Sequence, residues 1–226
     1  MTESGKNNKV MYDKTLDFFA QQKNGKLLDI GCGDGELSGW LQTQGHNVTG
    51  MDINDRRKVQ VPFNQCDINV ERFPFKDKTF DYIVCNMVME HIQNPGRIIG
   101  EMKRVVKDNG LLFITIPNIN SLPTKIYFLL TSQLPYYMIG KMPRYGDHIT
   151  IYHPEYFNYL MQLHGLDVYK NLYYSCWVPY TQIRLPDIKQ LSHVFTGVYK
   201  KGGEIYTERK EWIQPSMTIS SSTWKG

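Results

Sequence analysis

Residues 27–38 read LLDIGCGDGELS, and the fold turns on them. A β-rich run over residues 26–30 carries a carboxylate near its end, Asp29, and leads into three glycines at alternate positions, Gly31, Gly33 and Gly35. A helix is predicted directly behind them over residues 36–44, stopped by Gly45. Glycines at such a junction let backbone N–H groups approach a ligand closely, and the helix N-terminus adds partial positive charge. Alone, the loop specifies only a nucleotide-like ligand. A dinucleotide fingerprint needs a glycine three residues after Gly33, where this chain has Glu36, with Asp34 close by. Two carboxylates at the helix mouth repel a pyrophosphate but suit a ligand that carries cationic groups beside its own carboxylate. The competing reading is a tight turn with solvated acids, and the next strand ends decide against it.

Working outward, residues 47–52 form a second strand, a shorter run ends near Cys66, and residues 80–86 (FDYIVCN) form a fourth with the near-continuous hydrophobicity of a strand buried on both faces. Asn94 then offers an N-cap with Pro95 at the first helical position, and Ile98, Ile99, Met102, Val105 and Val106 share one stripe. Lys107 suits the negative end of that helix, and Asn109-Gly110 is expected to stop it before a fifth strand over residues 111–116. Pro154 opens a later helix with an apolar stripe of Tyr156, Phe157, Leu160 and Met161, closed by Gly165. Strands alternating with helices mean an α/β fold with a doubly wound, mostly parallel sheet, whose ligands sit outside the carboxyl ends of the strands.

The acids fall at those ends. Asp52 closes the second strand, where one carboxylate can accept both hydroxyls of a ribose. Asp67, just past the third run in CDIN, is placed to accept from an adenine amino group, with the Ile68 backbone N–H serving a ring nitrogen. Any one of these reads more simply as a cap or loop residue. Asp29, Asp52 and Asp67 at successive strand ends read as one site.

LLDIGCGDG, the spaced Asp52, CDIN, FPFKDKTFDYIVCNMVMEHIQNP and VVKDNGLLFITIPN together resemble the class I S-adenosylmethionine-dependent methyltransferases. The likeness is close over residues 26–118. DHITIYHPEYFNYLMQLHGLDV looks like the region after the fifth strand in members that methylate small molecules, lipids or saccharides, and nothing after about Asn171 supports an assignment. The resemblance implies a seven-stranded Rossmann-like methyltransferase sheet and S-adenosyl-L-methionine, whose ammonium and sulfonium match the acids. Asp29, Gly31, Cys32 and Gly33 would hold its methionine moiety, Asp52 the ribose and Ile53 the adenine face. Asp67 and Ile68 would hold the adenine edge, and the backbone at Asn86 and Met87 would meet the cofactor's amino group. With only about a dozen residues between Asp52 and Cys66, the helix usual there is expected to be short or absent, and Arg56, Arg57 and Lys58 read as a solvated basic loop.

The chain of 226 residues is expected to divide into a helical N-terminal extension over 1–24, a methyltransferase domain over 25–200 with a lid insertion over 118–152, and a tail over 201–226. The insertion holds Leu122, Ile126, Tyr127, Phe128, Leu129, Tyr136, Tyr137 and Met138, broken by Pro123, Pro135 and Pro143, with a helix expected over 121–130. It reads as a lid with an apolar, aromatic pocket for a small or amphipathic, lipid-like acceptor, or else as a second core layer. His148, in the GDHITIYH turn, is the candidate catalytic base toward an acceptor hydroxyl, since an imidazole titrates near neutral pH. The alternative is that it pins the lid. His91 reads as a loop-shaping residue, and His153, directly before Pro154, as an N-cap.

Twenty-six basic against 22 acidic residues give a net charge of +4, too mild a bias for nucleic acid, and no basic aromatic groove accompanies it. Cys32, Cys66, Cys85 and Cys176 show no metal spacing and read as free thiols of a cytoplasmic protein; methyl transfer requires no metal and none is expected. No apolar run reaches membrane-spanning length, although peripheral membrane contact stays open. The rival readings are a nicotinamide-dependent oxidoreductase, which Asp34 and Glu36 disfavour, and a non-catalytic cofactor-binding or partner-binding module on the same fold.

Overall fold

A computed structural model describes residues 3–135, 148–174 and 185–202. The chain starts with α1 (Glu3–Phe19), followed by β1 (Lys26–Ile30), α2 (Glu36–Thr43), β2 (Asn47–Asp52), β3 (Phe63–Gln65) and β4 (Phe80–Asn86). A 3₁₀ turn, Met89–His91, leads to α3 (Pro95–Val105), β5 (Val106–Pro117), α4 (Leu122–Thr131), α5 (Pro154–Leu163), β6 (Leu166–Tyr174) and β7 (Val194–Lys201). The seven strands form one sheet in the order β3-β2-β1-β4-β5-β7-β6. β7 runs antiparallel to both neighbours, and the five strands from β3 to β5 pair in parallel.

Alternation along the strands builds two layers. Leu27, Val48, Val84 and Phe113 face α1 and α2, where they meet Phe18, Phe19, Leu37 and Leu41. Leu28, Ile30, Ile83, Cys85, Leu112 and Ile114 face the other way, onto Ile98, Ile99, Met102, Phe157 and Met161 of α3 and α5. Both faces of the central strands are therefore dry, which explains their uninterrupted apolar sequence. Phe19 is fully buried, so α1 packs into this sheet face.

Asn94 caps α3, its side chain accepting from the Arg97 N–H at 3.1 Å. The helix ends at Val105, earlier than its sequence predicts, and β5 begins at once. Val106 pairs with Phe80, and the register then shifts before Tyr82 pairs with Leu111. Asn109 takes a left-handed φ of 64° inside that irregularity, so Asn109-Gly110 marks a bulge in β5 instead of a helix stop. Lys107 pairs with Asp81 at 2.7 Å, and Lys103 and Arg104 occupy the helix's last turn in its place. No helix stands between β2 and β3, as the short spacing requires. β6 and β7 lie largely beyond the readable sequence: β6 is an edge strand with only its two end residues buried and little apolar alternation to betray it.

Candidate active site

Because β1 to β4 are parallel, the residues at their carboxyl ends share one edge of the sheet. Asp29 lies in β1 between Gly50 and Val84, 3% exposed. Ser38, on the inward side of α2, donates to its Oδ2 at 2.6 Å. Burial pushes the Asp29 carboxyl up to about 7; the Ser38 hydroxyl opposes that shift and Asp52 adds to it.

The glycine loop is pinned by its backbone. Gly31 and Cys32 both donate to the Met51 carbonyl, at 2.7 and 3.2 Å, and Gly35 donates to the Cys32 carbonyl at 2.9 Å. Gly31 has φ 71°, and a Cβ there would stand 2.3 Å from Val88 Cγ2. Gly33 differs: φ is 57°, yet a Cβ would meet nothing within 4 Å. Open space beside a left-handed glycine, at the mouth of a helix and next to the Asp52 carboxylate that accepts its N–H, is room for a ligand. The Cys32 side chain turns away toward Gly50, and burial holds its thiol up at about 12, so its part in the loop is played by the backbone.

Asp52, 8% exposed, accepts from the Gly33 N–H at 3.0 Å and the Asn54 N–H at 3.2 Å. A carboxylate offers about four acceptor positions, so two further hydroxyls can be received. Ile53, half exposed just outside it, presents an apolar surface to the same edge. Asp67 follows β3 and accepts from the Asn69 N–H at 3.0 Å, while Ile68 packs on the core. At the end of β4, Asn86 directs its side chain to Thr15 and Thr115, at 3.2 and 2.6 Å, and Met87 takes φ 53° as the chain leaves the strand.

The basic segment is a solvated loop at Arg56 and Lys58, both exposed, and is tied down at Arg57. Arg56 lies 3.7 Å from Asp52, Arg57 pairs with Asp55 at 2.7 Å and sits over the Phe63 ring, and Lys58 pairs with Asp34 at 3.3 Å. These contacts close the gap a helix would otherwise fill. His153 stands at the N-cap of α5, but its ring makes no cap bond and lies 3.3 Å from Glu155. Cys32, Cys66 and Cys85 are free thiols, and Cys176 lies outside the described residues.

Just past β5, Asn118 is buried and donates to the Ser192 and Lys189 carbonyls, at 2.7 and 3.3 Å. Ser121 caps α4 through the Thr124 N–H. The helix buries Thr124 and exposes Leu122, Ile126, Phe128, Leu129 and Leu130, so the reading as a second core layer does not hold for it. Tyr136, Tyr137, Met138 and Pro143 lie outside the described residues. His148 packs edge-on against His91, ring centroids 4.7 Å apart, with its Nε2 4.0 Å from Glu90 Oε1.

Sequence reasoning passed over Glu90, Ser38 and Thr15. Each is a polar residue with no exposure, Ser38 set between Leu37 and Leu41 on the buried side of its helix. A polar residue inside an apolar stripe was the available signal.

Against known proteins, the methyltransferase domain family matches residues 5–171. The chain belongs to that family. It is 34% identical over 128 residues to the ubiquinone biosynthesis O-methyltransferase of Pasteurella multocida, covering 46% of this chain and 52% of the other. The enzyme of the same name from Glaesserella parasuis is 33% identical over 150 residues, covering 60% of each. The chain thus spans between half and two thirds of the length of these curated relatives. A SAM-dependent methyltransferase structure from Archaeoglobus fulgidus superposes with a TM-score of 0.63 at 17% identity, over 85% of this chain and 92% of that one. A Burkholderia thailandensis 1,6-didemethyltoxoflavin N1-methyltransferase, holding S-adenosylhomocysteine, gives 0.54 at 15% identity, over 86% and 76%. Family and fold together place the chain among methyltransferase domains built on a Rossmann-like sheet.

Proposed function

We propose that the chain transfers the methyl group of S-adenosylmethionine to a hydroxyl of a small or amphipathic acceptor. The observation that carries this reading is the open space at Gly33, whose N–H is held by Asp52, with the acids Asp29 and Asp67 at neighbouring strand ends along the same edge. Asp29 and the backbone of Gly31, Cys32 and Gly33 would hold the methionine moiety, Asp52 the ribose, Ile53 and Ile68 the adenine, Asp67 its amino group, and Asn86 and Met87 the cofactor's ammonium through backbone carbonyls. The bound cofactor supplies a methyl on a positively charged sulfur. In the transfer an oxygen–carbon bond forms as the sulfur–carbon bond breaks, leaving a thioether, and the hydroxyl proton passes to solvent. Charge disperses in that step, so alignment and exclusion of water are the protein's main contribution. His148 promotes loss of the acceptor's proton from its place beside the 3₁₀ turn.

The hydroxyl and the amphipathic character are supported by the names of the curated relatives and by the apolar residues α4 exposes. We assign residues 118–152 to a lid on the domain spanning 25–200, with 1–24 and 201–226 flanking it. α4 offers a surface for peripheral membrane contact; among the described residues no helix is long and apolar enough to cross a membrane. The free thiols of Cys32, Cys66 and Cys85 support a cytoplasmic location. Incubation with labelled S-adenosylmethionine and a panel of phenolic and polyprenyl-phenolic acceptors tests the reading: label transferred to a phenol supports it, and tight cofactor binding with no transfer to any acceptor favours the non-catalytic module.

A further inference from the structure

Glu90 is the residue the fold explains least. It lies in the 3₁₀ turn after β4, has no exposed surface, and neither carboxylate oxygen has a hydrogen-bond partner. A buried carboxylate without a partner is costly, and the group is held in one place by its surroundings. Its own carbonyl accepts from the Ile149 and Thr150 N–H groups at 2.8 and 3.0 Å. Thr150 Oγ1 donates to the Ile92 carbonyl at 2.6 Å, and the Tyr152 hydroxyl to the Met89 carbonyl at 3.2 Å. Four bonds therefore lace residues 149–152 onto the turn, which brings the adjoining His148 beside Glu90.

Glu90, His91 and His148 offer one ligand atom each, all within 4.8 Å of one another. The 4.0 Å between His148 Nε2 and Glu90 Oε1 is too long for a hydrogen bond. It falls within the span of two ligands of one ion, since metal–nitrogen and metal–oxygen bonds near 2.1 Å place them about 3.4 Å apart at a tetrahedral angle and about 4.2 Å apart when opposed. We propose that Glu90, His91 and His148 bind a divalent transition-metal ion. The donor set of two imidazoles and one carboxylate suits Zn²⁺, Co²⁺, Mn²⁺ or Fe²⁺ over the all-oxygen preferences of Mg²⁺ and Ca²⁺. An ion there supplies the partner that both buried carboxylate oxygens lack. Three protein ligands leave at least one coordination position free for water or an acceptor oxygen. The consequence for catalysis rests on the methyltransferase reading: a hydroxyl bound to the ion loses its proton more readily, and His148 then acts through the ion.

The test is titration of the chelator-treated full chain with Zn²⁺ and with Co²⁺ alone, followed by calorimetry and by the visible absorption of Co²⁺. One ion per chain is expected, with a micromolar or tighter Kd and nitrogen-ligand bands in the Co²⁺ spectrum. Glu90→Gln and His148→Ala should each weaken binding at least tenfold. Glu90→Gln keeps the side chain's shape, so it guards against loss of the fold, which circular dichroism checks for both variants. No saturable binding, or binding unchanged in both variants because the ion sits elsewhere, would overturn the proposal. S-adenosylmethionine affinity, measured in parallel with and without chelator, separates this result from failure of the methyltransferase reading, because it should not change.

Discussion

The two sides of the active-site edge are built on opposite plans. On the cofactor side, Asp29 and Asp52 are 3% and 8% exposed and locked by short bonds to Ser38, Gly33 and Asn54. On the side proposed for the acceptor, α4 leaves Leu129 and Leu130 81% and 80% exposed and buries only Thr124 among its residues. The first side is a preorganised receptor for a charged ligand. The second is apolar surface waiting for something to cover it, and exposed leucines and a phenylalanine side by side are what a soluble monomer avoids without a use for them. In the proposed function one side fixes the cofactor, and the other receives the acceptor.

The sharpest way to break that contrast is to shorten residues 124–138. Transfer to the true acceptor should be abolished while calorimetric affinity for S-adenosylmethionine stays within a few-fold; a collapse of cofactor affinity would make the segment part of the core. Next in size, His148→Gln should lower turnover by about 10²-fold with cofactor affinity preserved, read from steady-state rates beside binding. A raised acceptor KM with turnover nearly intact would return His148 to the role of a lid pin.

Asp29 gives a pH signature of the cofactor side. Its folded carboxyl titrates near 7 against an ordinary 3.8, so between those values the native state holds a proton that the unfolded chain has lost. Its contribution to stability therefore falls as pH rises from about 4 to 7 and is level above that, by at most about 4 kcal/mol. Denaturant melts of wild type and Asp29→Asn at pH 5 and pH 8 should show a shallower pH dependence in the variant. The smallest effect is expected for Ser38→Ala, which removes the donor to that buried carboxyl and should cost about 1 to 3 kcal/mol of stability in the same melts.

The cofactor side was legible because its constraints are local. A left-handed turn demands glycine at Gly31 and Gly33, and a strand buried on both faces demands the apolar run of 80–86. Carboxylates at Asp29, Asp52 and Asp67 stand out against those runs. What escaped depends on distant partners. Nothing local says that α3 stops at Val105, because Val106 is drawn into β5 by Phe80 across the sheet. β6 and β7 find their places only against each other and β5, and the Glu90–His91–His148 cluster joins residues nearly sixty positions apart through backbone bonds no periodicity encodes.

The central claim is that the carboxyl ends of β1, β2 and β3 form the cofactor's seat, with Asp52 taking the ribose. Calorimetry with S-adenosylmethionine on wild type and Asp52→Ala tests it most directly, since charge-assisted bonds to two hydroxyls contribute about 1.5 to 3 kcal/mol each. The account predicts at least a tenfold loss of affinity with the circular dichroism spectrum unchanged. An equal affinity in the folded variant would place the ribose elsewhere and contradict it.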